Sequence, residues 1–257
     1  MNAYEKVTTA RGSSRPSGAY FINSIFDNFI ELHGDRRYGD DGAIVGGIAY
    51  LNGEAVTVIA MERGDTIEDR MKRNFGCPSP EGYRKALRLM KQAEKFSRPV
   101  ICFIGSSGAF CGIGAEQRGQ GQAIAENLME MMTPKTPVVS VVIGEGGSGG
   151  ALALGVADTV MMLENAVYSV ISPEGCASIL WKDAAKAADA AEVLKLTAEN
   201  LKNFGVIEKI IPEQNKSMEE ICENLRVALS AEISEKKKLT LNELLDNRYN
   251  RFRKIGS

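Results

Sequence analysis

The chain has 257 residues, 44% of them apolar and 25% charged, the balance of an ordinary globular protein with one large domain or two small ones. Thirty-one Lys and Arg stand against thirty-three Asp and Glu, and the formal charge of −2 argues against a whole-molecule electrostatic hold on nucleic acid or an anionic membrane. No apolar run nears the roughly 20 residues of a membrane helix, and the single histidine, His33, excludes chemistry that needs several imidazoles, such as a three-His zinc site.

Met1 to Gly18 is polar, lacks the apolar stretch of a secretory signal, and ends in the Gly-, Ser- and Pro-containing run Ala10 to Gly18. Residues 1–18 are therefore expected to be a flexible leader ahead of one domain, 19–257. The cysteines, Cys77, Cys102, Cys111, Cys176 and Cys222, are odd in number and form no C-x-x-C pair, so a reduced, cytoplasmic chain is expected. Phe21, Ile22, Ile25, Phe26, Phe29 and Ile30 recur at helical spacing and predict an amphipathic first helix. Gly34 reads as its stop, with His33 in a structural role at the helix end.

Two β-rich runs, Ala43 to Leu51 and Ala55 to Met61, flank Asn52-Gly53, the dipeptide favoured in a type I′ hairpin turn. Ser79 then precedes Pro80, a helix-opening pair, and the helix is expected to run to about Phe96. From Pro99 the rhythm is strand, glycine loop, helix. Val100 to Ile104 leads through Gly105–Gly114 to a helix near Ala115–Met131, and Pro137 to Ile143 leads through Gly144–Gly150 to a small-residue helix, Ala151–Ala157. Short strands at Thr159–Leu163 and Val167–Ile171, helices from Pro173 to Phe204, and a last strand at Val206–Ile211 follow. Alternating βαβ units imply a largely parallel sheet covered by helices. From Ser217 the chain reads as wholly helical, either packed on the domain or docked on a partner subunit.

The two glycine clusters each stand between a buried strand and a helix. Such turns leave N–H groups unpaired at a helix N-terminus, and glycine lets a substrate oxygen approach them without meeting a Cβ. Two turns on adjacent strands would converge donors on one oxyanion, each contributing roughly 3 kcal/mol to a transition state that develops charge. The second cluster keeps other readings open. Its glycines also suit close helix–sheet packing; a phosphate loop lacks the G-x-x-x-x-G-K-[ST] pattern; and Gly146-Gly147-Ser148-Gly149-Gly150 matches G-x-S-x-G, although only His33 is available as a base. Glu116, Glu145 and Glu174 sit beside glycine turns as capping groups or loop orienters. Arg63, Arg70, Lys72 and Arg73, with Arg84 and Lys85, form a basic stretch that is either solvated surface or a contact for phosphates of a nucleotide-bearing substrate.

The strings Gly144–Ala153 and Tyr168–Trp181, with Glu31–Arg37, Asn74–Phe96 and Gly112–Asn127, resemble the alpha-subunit family of bacterial acetyl-CoA carboxylase carboxyltransferase from about Tyr20 to Pro212. The resemblance implies an α/β fold, a crotonase-like ββα spiral, here with a helical C-terminal segment over 217–257, rather than a doubly wound sheet. It implies carboxyl transfer from carboxybiotin, held on a separate biotin carboxyl carrier protein, to the CoA thioester acetyl-CoA, giving malonyl-CoA for fatty acid biosynthesis. The implied partners are biotin carboxylase and a zinc-ribbon beta subunit, in an assembly of two alpha and two beta subunits, with no metal in this chain. The family's catalytic backbone donors map onto Gly149 and Gly150, with Gly146 and Gly147 shaping the turn; Gly108, Ala109, Phe110 and Gly112 of the first glycine cluster and Arg73 of the basic stretch are expected to bind substrate. Where the family has Asp-Thr-Pro-Gly-Ala-Tyr-Pro-Gly, this chain has Gly105-Ser106-Ser107-Gly108-Ala109-Phe110-Cys111-Gly112. Without the two prolines a less preorganised loop is expected. The altered loop also leaves two alternatives, a paralogue acting on another acyl-CoA and a non-catalytic assembly subunit.

Overall fold

Asn52 and Gly53 both take positive φ, 50° and 81°, and turn β2 (Ile44–Leu51) directly into β3 (Glu54–Met61), as the type I′ signal requires. The pair is antiparallel in unbroken register from Leu51 opposite Glu54 to Ile44 opposite Met61. This computed structural model describes residues 1–256. Around the hairpin the sheet adds β1 (Asp27–Glu31), antiparallel to β2, and then β4 (Val100–Ser106), β5 (Val138–Gly147) and β6 (Thr159–Leu163), all parallel, with β8 (Lys209–Ile211) at the edge.

β5 is the element that makes the sheet turn. Its first half pairs with β6, from Val139 opposite Thr159 to Val142 opposite Met162. Its last residues pair with a different strand, β7 (Val167–Ser169), through Glu145, Gly146 and Gly147. The start of the second glycine cluster, expected as a loop, is thus strand. Its partner lies about 20 residues downstream, a non-local contact that local composition does not encode.

Helices cover both faces. α2 (Gly18–Ile25) lays Phe21 on Phe103 of β4, the rings stacked at 5.8 Å, and Phe26 meets the same ring edge-on at 6.1 Å. Burying each such side chain contributes roughly 1.5–3 kcal/mol. α4 (Pro80–Lys95) buries Tyr83, Ala86, Leu89, Met90 and Ala93 along one stripe. Three helices are short: α3 (Ile67–Lys72), α5 (Ile113–Gln117), which packs on α6, and α7 (Ser148–Leu152), which packs on β4 and β5. The remaining interior helices are α6 (Gln120–Glu130), α8 (Pro173–Trp181), α9 (Ala187–Leu194) and α10 (Ala198–Asn203).

Several expectations need correction. Residues 1–18 hold no flexible leader over most of their length: α1 (Ala3–Arg11) opens with a reciprocal Asn2–Glu5 capping box and buries Ala3, Val7 and Ala10 against Val167, Ala191 and Leu196. The predicted first helix stops at Ile25, because Phe26 onward is drawn into β1 against β2. His33 therefore follows a strand rather than a helix, and its Nδ1 lies 2.9 Å from Asp40. The helix expected over 115–131 breaks at Gly119, which takes φ 82°, so α5 and α6 are separate. The last strand is shorter than expected, covering only Lys209–Ile211.

The C-terminal segment is helical as expected, in α11 (Met218–Lys236) and α12 (Leu241–Arg253). α12 is locked onto the domain less by its apolar stripe than by Arg248. That buried guanidinium donates to both carboxylate oxygens of Asp158 at 2.8 Å and to the carbonyls of Pro134 and Thr136. Leu241 and Tyr249 of the predicted stripe are exposed.

Candidate active site

β4 and β5 run side by side, Ile104 opposite Val142, and after a register shift Ser106 stands opposite Gly146. Both glycine clusters are thereby delivered to the same edge. They touch. A Cβ on Gly147 would lie 2.0 Å from the Ser107 carbonyl oxygen, and one on Gly150 would lie 2.4 Å from the Ala109 nitrogen and 2.9 Å from the Tyr83 hydroxyl. No side chain fits at either position, so the packing reading holds for these two glycines. Gly149 differs, since a Cβ there would meet nothing nearer than Ile124 at 3.8 Å. Gly146 lies under the Tyr168 ring.

Between strand and helix the chain turns through Ser148 at φ 53°, a strained value for a residue with a side chain. Gly149 and Gly150 fall in the first turn of α7, where no earlier carbonyl is available to the amide. Among the described residues, no protein acceptor is hydrogen-bonded to the amides of Ala109, Gly149 or Gly150. Their neighbours are occupied: Phe110 donates to the Pro78 carbonyl at 3.0 Å, and Gly108 to the Ser106 hydroxyl at 3.1 Å. Of the expected residues, Ala109, Gly149 and Gly150 thus come together with free donors, and Gly146 and Gly147 frame them. The Phe110 ring lies against Gly112, whose Cβ would stand 2.5 Å from it. Arg73 is directed elsewhere, donating to Asp69 at 2.8 Å and to the Gly42 carbonyl at 2.7 Å.

Hydrogen bonds fix the loop after β4 where prolines are missing. Ser106 Oγ donates to the Gly108 carbonyl at 2.7 Å, and the Gln120 side-chain amide donates to the carbonyls of Pro78 and Phe110, both at 2.8 Å. Cys77 Sγ lies 3.4 Å from Ser107 Oγ. These bonds tie the loop to α6 through Gln120 and to the segment before α4 through Pro78 and Cys77.

The carboxylates beside the turns have unequal roles. Glu145 and Glu174 are tied together by Arg11 of α1, at 2.7 and 2.8 Å. Burial acts to lower the Arg11 pKa, but these two partners hold it above its ordinary value. Burial likewise opposes ionisation of Glu174, and Arg11 outweighs it, leaving that carboxyl below its usual range. Arg15 donates to the Ile143 carbonyl at 2.6 Å and pairs with Glu213, clamping β5 just before the turn. Neither arginine stands out in the sequence. The signal was the Asn2–Glu5 capping box, which makes the region helical and places Arg11 one turn beyond buried Val7. Glu116 is exposed on α5. Ser148 has the turn of a nucleophile elbow but no imidazole, because the sole histidine is engaged with Asp40.

Next to Gly149 opens a predominantly apolar hollow of about 280 Å³ lined by Ser148, Leu152, Tyr168, Val170 and Val206. Among the described residues no cluster of His, Cys, Asp and Glu could hold a metal ion, and no helix is long and apolar enough to cross a membrane.

Residues 1–256 match the family model described as acetyl co-enzyme A carboxylase carboxyltransferase-like. The acetyl-coenzyme A carboxylase carboxyl transferase subunit alpha of Clostridium perfringens is 58% identical over 258 residues, covering 99% of this chain and 95% of that one. The subunit of the same name from Clostridium acetobutylicum is 57% identical over 260 residues, covering 100% and 95%. In fold, the chain is similar to transcarboxylase 12S, solved with methylmalonyl-coenzyme A and methylmalonic acid bound, at a TM-score of 0.72 and 18% identity; the match covers 88% of this chain and 42% of that one.

Proposed function

The chain belongs to the acetyl-CoA carboxylase carboxyltransferase alpha-subunit family, and from that premise we propose that it forms the half-site that polarises the carboxyl donor during carboxyl transfer to acetyl-CoA. The product is malonyl-CoA, the committed precursor of fatty acid biosynthesis. The partner subunit is a beta chain carrying the zinc ribbon, in a heterotetramer of two copies each. Biotin carboxylase and the biotin carboxyl carrier protein supply the donor.

One observation carries this reading: the unpaired amides of Ala109, Gly149 and Gly150 stand at the contact of two loops. Amides fixed there need no reorganisation as charge grows on an oxygen, which is the condition for electrostatic stabilisation. Carboxybiotin, when bound, supplies an activated carboxyl group on a ureido nitrogen. The residues present suit it. Gly149 leaves room at the amides, and the hollow of Leu152, Tyr168 and Val170 offers apolar surface to a fused bicyclic ring. The role of this chain is then to orient the ureido carbonyl toward the three amides and to exclude water with the apolar wall. Arg11 holds Glu145 and Glu174 in place behind the turn without contacting the donor.

The test is reconstitution. The purified chain and its cognate beta subunit, given carboxybiotin and acetyl-CoA, should form malonyl-CoA at a rate neither subunit reaches alone. No gain on mixing refutes the proposal.

A further inference from the structure

Tyr83 stands at the end of the first turn of α4, and its side chain is fully buried, 0% exposed. Its hydroxyl reaches the contact between the two glycine turns. A Cβ on Gly150 would stand 2.9 Å from that oxygen, 2.8 Å from the Gly108 carbonyl carbon and 2.4 Å from the Ala109 nitrogen. Among the described residues the hydroxyl has no hydrogen-bond partner. A buried tyrosine hydroxyl usually finds one, because an unmade bond leaves the desolvation of the group uncompensated. The acceptors nearby serve other donors. The Gly108 carbonyl accepts from Ser106 Oγ at 2.7 Å, the Pro78 carbonyl from the Phe110 amide and Gln120, and the Asp41 carboxylate from the amides of Ala43 and Ser79.

A phenylalanine would fill the same space without the orphaned oxygen. A donor is instead placed where the protein offers nothing to receive its proton, beside two amides, Ala109 and Gly150, in the same condition. Burial, and then Cys77 and Asp41, push the Tyr83 pKa above its ordinary value, so the side chain is a neutral phenol that gives a hydrogen bond and not a phenolate that takes a proton. We propose that Tyr83 is a further donor of this site: its hydroxyl hydrogen-bonds the oxygen received by the amides of Ala109 and Gly150, and stays unpaired until that oxygen arrives. The proposal rests on the carboxyltransferase reading above, in which the oxygen is the ureido carbonyl of the carboxyl donor. The bond strengthens as negative charge grows on that oxygen, so the hydroxyl acts on the chemical step more than on binding.

The experiment uses the complex of the full chain with its beta subunit and reads a rate and a spectroscopic signal. Tyr83→Phe removes one oxygen atom. It should lower kcat for malonyl-CoA formation by about tenfold or more while KM changes less than about twofold, the pattern of an interaction made in the transition state. Its melting temperature should equal the parent's or exceed it, because an unpaired buried group is gone. A parent complex that turns over beside a Tyr83→Phe complex with the same kcat overturns the donor role and leaves the carboxyltransferase reading intact. Should Tyr83→Phe fold poorly, the second signal decides. With fluorotyrosine in place of Tyr83, the fluorine resonance should move when the complex is saturated with biotin, while fluorotyrosine in place of Tyr50, exposed on β2, should not respond. A resonance at position 83 that holds still overturns the proposal whatever the rate. This readout needs no turnover, so it also decides the role of Tyr83 if the parent complex makes no malonyl-CoA, the result that refutes the reading itself.

Discussion

Gly150 and Ala109 approach so closely that a methyl group on the glycine would stand 2.4 Å from the alanine nitrogen. This contact joins the two glycine turns and sets where their amides point. Gly150→Ala must push the loops apart, and kcat/KM for malonyl-CoA formation should fall by about 10²-fold or more, the size of losing a fixed oxyanion donor. Gly147→Ala should do the same, given the Ser107 carbonyl at 2.0 Å. Gly149→Ala is the control, since its added methyl meets only ordinary contact at 3.8 Å and its amide is retained. Its melting temperature should stay within about 2 °C of the parent, as expected for a substitution that adds no clash.

The N-terminal helix is an anchor for the site. Arg11→Met leaves Glu145 and Glu174 without their shared cation, and two part-buried carboxylates then stand uncompensated. The loss should be about 1–3 kcal/mol, the size of charge-assisted hydrogen bonds. Hydrogen exchange should rise in α1 and at Glu145–Gly147 together, and catalysis by the beta complex should drop. Exchange that rises in α1 alone would show that the helix and the turn are independent.

The hairpin was legible because Asn52-Gly53 specifies its turn locally, and the helix from Pro80 because Ser79-Pro80 opens it. Both glycine clusters were legible as strand-to-helix turns because each follows a short buried apolar run, Val100–Ile104 and Val138–Ile143. What escaped was non-local. Glu145–Gly147 became strand through pairing with Val167–Ser169 and, at Gly146, with Ser106 of β4, and Asp27–Glu31 left the helical pattern because β2 offers it an edge. α1 looked like a leader because its buried face is small, Ala3, Val7 and Ala10, and its strongest tie is an ion pair to residues more than 130 positions away. Arg73 looked like a substrate contact because nothing local reveals the Gly42 carbonyl it serves.

Arg248 and Asp158 form a buried pair that fastens α12 beneath β5, since Asp158 also accepts from the Val138 amide at 2.7 Å. Arg248→Met alone should cost about 3–5 kcal/mol in denaturant unfolding, because it leaves a buried carboxylate unpaired. Adding Asp158→Asn should recover part of that loss, giving a non-additive double-mutant cycle. Additive losses would mean that the two side chains act separately.

Asp35 sets an acid limit on stability. Burial acts to raise its pKa, but the amides of Tyr38, Arg37 and Gly39 and the Arg84 guanidinium outweigh it and hold the carboxyl at about 2 rather than 3.8. A depressed folded-state value means that the stabilisation is complete above the unfolded pKa and is lost as pH falls from near 4 toward 2. The contribution is about 2 kcal/mol. Asp35→Asn should be less stable than the parent at pH 7 and should show a shallower loss between pH 4 and 2. Equal slopes for the two would remove Asp35 from the account.

The most direct test follows the amides themselves. In the reconstituted complex with the beta subunit, labelled at glycine and alanine nitrogen, biotin is titrated while the amide protons of Ala109, Gly149 and Gly150 are observed. All three should move downfield together, as amides do on gaining an acceptor, while Gly53 in the hairpin stays fixed. If those three signals hold still at saturating biotin in a complex that still makes malonyl-CoA, the donors act elsewhere and the site assigned to this chain is wrong.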